Sequence, residues 1–160
     1  MIFIVLSIMT LCYFALASWQ DLKERMLYTA PILFLHILWS IYLVVMTDWE
    51  NSFLCSFWLV HLIIYVVLND FGVWGDGDSD FFLLMGNLCL VASKAVSTGV
   101  LVFRECLFLM LGLLAAIGIG VIEANWKKKK LKVTYEIAVA PGMAVAGTIL
   151  ILQGFLEVMK

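Results

Sequence analysis

The strongest constraint on this chain is a succession of long apolar runs, broken by short segments that collect nearly all of its charge. A helical run of about 18–20 apolar residues crosses the ~30 Å hydrocarbon core of a bilayer. At that depth the backbone must satisfy its own hydrogen bonds, which leaves helices as the natural solution for such runs. Runs of this kind cover roughly residues 2–19, 30–46, 53–68, 81–93, 99 or 103 to 121, and 137–156. With 64% of 160 residues hydrophobic and only 14% charged, the composition excludes an ordinary water-soluble domain. The reading is an all-α integral membrane protein of about six transmembrane helices with short loops, forming a single domain over residues 1–160. Pro31 suits the first turn of the second helix. The fourth run is the shortest and is expected as a half-buried or tilted span shielded by its neighbours. Ile2 is preceded by no basic region, and no small-residue cleavage site follows the first run, so that run is read as a retained span.

Loop charge orients the bundle. Lys23 and Arg25 in the first loop, with Lys127 to Lys130 and Lys132 in the fifth, place seven basic residues on one side; Lys94, Arg104 and Lys160 place three on the other. The positive-inside rule then puts the odd loops in the cytoplasm and both termini outside it. Arg104 is expected to snorkel toward the interface. Trp19, Trp49, Trp74, Trp126, Tyr28 and Tyr135 stand near run ends and suit an interfacial aromatic belt.

In this orientation one polar stretch stands out, Gly75-Asp76-Gly77-Asp78-Ser79-Asp80, directly before the apolar run that starts at Phe81. Ionisable groups at the mouth of a membrane helix are expensive, and they mark function or a solvated acidic loop. The two glycines are expected to let the backbone turn and approach other segments closely. Asp21, just after the first run, falls on the same membrane face. Two carboxylates held close do not both ionise readily, so one keeps a proton while the other acts as base. Such a pair activates water and protonates a leaving amine, which is the chemistry of peptide hydrolysis.

Gly75 to Gly86 resembles the Gly-x-Gly-Asp-x-Lys-Leu-Leu…Gly motif of type IV prepilin peptidases, which are membrane aspartic proteases. Asp21-Leu22-Lys23-Glu24-Arg25-Met26-Leu27 is similar to their first motif, an aspartate followed by basic residues and Ile-Pro-Asn. Ala140-Pro141-Gly142-Met143 through Gly147 is similar to their proline-containing last helix. The chain departs from the pattern at Tyr28 and Thr29, where relatives carry Pro-Asn, and at Asp80, where they carry Lys. It has no paired CxxC motifs and resembles the short, peptidase-only form. The resemblance implies Asp21 and Asp78 as the catalytic pair, with Gly75, Gly77, Asp76, Asp80 and Lys23 contacting substrate. It implies cleavage at the cytoplasmic face of the cell membrane, after a glycine that ends a short basic leader and before the apolar helix of a prepilin-like protein. The acids of the loop, Asp70 included, would attract that leader.

The alternative function is non-catalytic, either a scaffold descended from such proteases or a cation-conducting subunit. An ion pathway calls for acids at mid-depth, whereas these cluster at one face. Beyond the substrate, membrane lipids are the expected partners, and neither cofactor, metal nor nucleic acid is expected. Asp76 to Asp80 opens like a calcium loop, but Phe81 and Asn87 stand where that loop needs Gly and Glu. Cys12, Cys55, Cys89 and Cys106 lie in apolar runs without metal-ligand spacing and read as small buried hydrophobes. His36 and His61 read as hydrogen-bonded core residues. Glu105, Glu123 and Glu136 read as interfacial, and the lysine run as a topology anchor or a contact for anionic lipid.

Overall fold

The fourth apolar run is the axis of the molecule. In the computed structural model, which describes residues 1–71, 75–93, 97–126 and 137–159 apart from the side chains of Leu68 and Asp76, it forms helix α4, Asp76–Val91. Every residue from Ser79 to Ser93 is buried. A helix apolar on all sides has no face to give to water and packs inside its neighbours. Sixteen residues rise only about 24 Å, less than a bilayer core. The protein around α4 supplies the shelter that its length does not.

Five helices surround it among the described residues: α1 (Ile2–Glu24), α2 (Thr29–Met46), α3 (Asn51–Asp70), α5 (Thr98–Trp126) and α6 (Ala140–Val158). Helices α2, α3, α5 and α6 pack on α4, and α1 reaches it through Tyr13 and Phe14, whose rings stack on Phe81. Four of the helices, α1, α2, α5 and α6, are long and apolar enough to cross a membrane. Their outward faces carry Val5, Ile8, Phe34, Phe103, Leu114 and Leu152, a belt suited to lipid and too extensive for a soluble surface. Cys12, Cys55 and Cys106 belong to this outer face, contrary to the expectation of burial, and only Cys89 lies in the core. The reason is that a cysteine in a lipid-facing helix is as comfortable outside the bundle as inside it.

Where hydrocarbon surrounds the helices, close packing and polar links hold them together. The tightest crossing joins α5 to α6. A Cβ at Gly142 would lie 2.1 Å from the Gly112 carbonyl oxygen and 2.4 Å from the Ala116 nitrogen. Gly112 faces that contact and Gly120 faces Ile137 just ahead of α6, whereas Gly118 points into open space. Gly147 leaves room for the Phe14 ring, which brings α1 against α6. The polar links centre on buried Asn87 of α4. Its Oδ1 accepts from Trp58 Nε1 of α3 at 2.8 Å, and its Nδ2 donates to the His36 carbonyl and to Ser40 Oγ of α2, each at 2.9 Å. Trp39 of α2 likewise donates to Thr10 of α1 at 2.9 Å.

The helix order brings the end of α1, the start of α2, the start of α4 and residues 137–139 to one end of the bundle. Residues 46–49, 90–93 and 157–158 meet at the other end. Arg104 turns inward there, donating to the Ala92 carbonyl and Ser93 Oγ, each at 2.9 Å. It thereby closes the negative end of α4 where it was expected to snorkel outward. Trp49 donates to the Leu90 carbonyl at the same end. Trp19, Trp126 and Tyr28 are exposed at the first end, as an interfacial belt requires. Trp74, Tyr135, Glu136 and the lysines at 94, 127–130, 132 and 160 lie outside the described residues.

Candidate active site

Asp21 occupies the last turn of α1 and is buried, 7% exposed. Its Oδ2 accepts a 2.9 Å hydrogen bond from the backbone N–H of Ala140, the first residue of α6. That bond has a local cause. The first turn of a helix carries N–H groups with no partner inside it, and Val139 provides no side-chain cap. Pro141 has no N–H to satisfy and is tolerated at this position. Asp21, 119 residues away, is therefore the N-terminal cap of α6, and α6 begins three residues later than the apolar run because the cap sits there.

Asp78 lies in the first turn of α4, ahead of the apolar run, with its N–H bonded to the Gly75 carbonyl at 3.1 Å. Burial pushes its carboxyl up to about 6, the nearby Asp21 charge adds to the rise, and the Gly75 backbone opposes it. Asp21 and Asp78 line one cavity of about 340 Å³, together with Arg25, Leu27, Gly75 and Gly77. The two glycines serve differently from expectation. Gly75 has φ −70°, which any residue adopts. Gly77 is needed for closeness, since a Cβ there would sit 2.6 Å from that of Leu27. The contact seats the foot of α4 against the chain leaving α1.

Other residues named from sequence are placed elsewhere. Asp80 is fully buried in the core, outside the cavity lining. Positions two apart on a helix point to different sides, so Asp78 and Asp80 diverge. This helical geometry also removes the loop that a calcium site would need. The Asp76 side chain lies outside the described residues. Lys23 faces away from the cavity, its ammonium 4.9 Å from the centre of the Trp19 ring and 3.6 Å from Glu24. Asp70 ends α3 and does not line the cavity.

Two features escaped the sequence reading. Arg25 lines the cavity and pairs with Glu123 of α5 at 2.6 Å; its position in the first motif was the available signal. Glu105, expected at an interface, is buried and bonded to His61 Nε2 at 2.5 Å. His61 also meets the Phe57 carbonyl and stacks between Phe57 and Phe82, beside an apolar cavity of about 530 Å³. Both histidines are hydrogen-bonded, as expected, His36 to the Leu83 carbonyl. Among the described residues no three His, Cys, Asp or Glu side chains gather as a metal site would require. No family model, curated protein or solved structure matches this chain.

Proposed function

We propose that the chain is a membrane aspartic endopeptidase of the prepilin peptidase type, which removes the short basic leader of a prepilin-like protein at the cytoplasmic face. The observation that carries this reading is the shared cavity of Asp21 and Asp78, one acid from each of the two motifs, at one end of a bundle built of apolar helices. Six spans with both termini outside the cytoplasm fit the alternation of the helices and the basic residues of the odd loops. Asp78, whose carboxyl is pushed up to about 6, is the proton holder. Asp21 is also raised by burial, but the Ala140 amide N–H that its carboxylate accepts opposes the rise, and it is the base. Asp21 takes a proton from water as the oxygen attacks the peptide carbonyl. Asp78 donates to that carbonyl, giving a gem-diol; Asp21 then hands its new proton to the departing amine while Asp78 recovers one from a diol hydroxyl as the C–N bond breaks.

Purified protein is given a synthetic peptide with a lysine-rich leader ending in glycine, followed by an apolar segment. Cleavage after the glycine is expected, and it should survive chelation. Asp21→Asn keeps an oxygen for Ala140 and Asp78→Asn keeps the shape, yet each should lower turnover by at least about 10²-fold, since neither amide moves a proton. Asp80→Asn should keep measurable turnover. Wild-type rates in both Asp21→Asn and Asp78→Asn would overturn the assignment.

A buried pair within the apolar length of α3 and α5, His61 and Glu105, favours a second reading as a cation- or proton-conducting subunit. Proton flux into vesicles that is lost in Glu105→Gln and kept in Asp78→Asn would select it.

A further inference from the structure

Arg25 has a feature that the two-aspartate chemistry leaves unused. It ends α1 with φ 55° and ψ 33°, a left-handed conformation that a long side chain seldom adopts and that tends to persist at functional sites. Its own N–H donates to the Asp21 carbonyl at 3.1 Å, so its backbone is tied to the candidate base. Its Nη2 is fixed by Glu123 Oε2 at 2.6 Å. Its Nη1 is buried and has no hydrogen-bond partner among the described residues. The residue lines the cavity that holds Asp21 and Asp78.

A buried cationic N–H without an acceptor is costly, and in a cleft an acceptor brought by a ligand relieves that cost. The surroundings select the kind of oxygen. A carboxylate or phosphate would enter a cavity already lined by Asp21 and Asp78, with Glu123 behind the guanidinium, and would be repelled. A neutral amide carbonyl brings an acceptor without a charge, and an extended peptide presents one at each residue. We propose that Arg25 Nη1 is a substrate-binding donor that receives a backbone carbonyl oxygen of the bound peptide. Glu123 is the positioning residue, holding one arm of the fork so that the other is presented. The inference rests on the peptidase reading for its substrate class.

The test reads binding apart from turnover. Binding of the leader peptide used for cleavage is measured by fluorescence anisotropy in an Asp78→Asn background, where the peptide stays intact, and cleavage is measured with Asp78 present. Arg25→Gln should weaken binding about 10- to 100-fold, as losing a hydrogen bond from a charged donor does. The melting temperature should stay within a few degrees of the parent. Arg25→Lys keeps the charge without the fork and should fall between the two. Glu123→Gln should lose less than Arg25→Gln. Binding within threefold of the parent in Arg25→Gln overturns the inference while leaving the peptidase reading intact. So does a loss of cleavage that is only a displaced pH profile with unchanged binding, because Arg25 would then act through the charge of Asp21. If the peptide binds with this Arg25 dependence but wild type never cuts it, the peptidase reading falls and the donor role stands. A protein that binds no peptide at all overturns both.

Discussion

A single carboxyl group shows how the site is tuned. Asp78 keeps its proton to about pH 6 in the folded protein against 3.8 for an unburied aspartate. Between those values the folded state binds more protons than the unfolded state, so stability falls as pH rises through the window and the full penalty is present above about 6. Asn at this position has no charge to bury. Asp78→Asn is therefore expected to melt at a higher temperature than wild type at pH 7.5. The difference should shrink as pH falls below 6 and vanish below pH 4. Equal melting temperatures at pH 7.5 would show that Asp78 ionises there without strain. In the proposed reaction this is the proton that Asp78 donates, so kcat/KM for leader cleavage is expected to decline as pH rises above about 6. On the peptidase reading, the raised carboxyl of Asp78 is kept for the proton it holds, and stability bears the cost.

At the scale of elements, the helices interlock through small residues, and glycines that look alike in sequence differ in consequence. Gly142→Ala drives a methyl into the backbone of α5, where no rotamer change makes room. It should cost about 1–3 kcal/mol in detergent-unfolding equilibria. Gly118→Ala meets open space and should lie within about 0.5 kcal/mol of wild type. If the two variants unfold alike, the α5–α6 crossing is looser than described. Helix positions were legible in the sequence because the apolar runs are long and end on charge, and α1 to α6 begin and end within about five residues of the expected bounds. Which glycine faces which neighbour was not legible, since rotational setting depends on partners distant in the chain. The pairing of His61 with Glu105 was hidden for the same reason, lying 44 residues apart in sequence. Asp21 and Asp78 could be nominated because each stands in a local motif. The role of Asp21 as the cap of α6 could not, because nothing near it in sequence points to Ala140.

For the whole molecule, the alternation of helices makes orientation testable at both ends. In a cysteine-free background, single cysteines at the exposed positions Lys23 and Met26 sit at the Asp21 end, and those at Asn51 and Ser97 sit at the other. An impermeant thiol reagent on intact cells should label Asn51→Cys and Ser97→Cys and spare Lys23→Cys and Met26→Cys. The reverse pattern would overturn the cytoplasmic placement. Ser79, which falls inside the acidic motif, is useless as a reporter because it is fully buried. The cap that Asp21 gives to Ala140 also has a meaning in time. A ribosome delivers both aspartates long before it delivers residue 140, so a nascent chain carries the two acids without the wall that completes their cavity. On the peptidase reading, membrane insertion is its own safeguard: hydrolytic competence arrives with the sixth helix, after the rest of the bundle has been laid down.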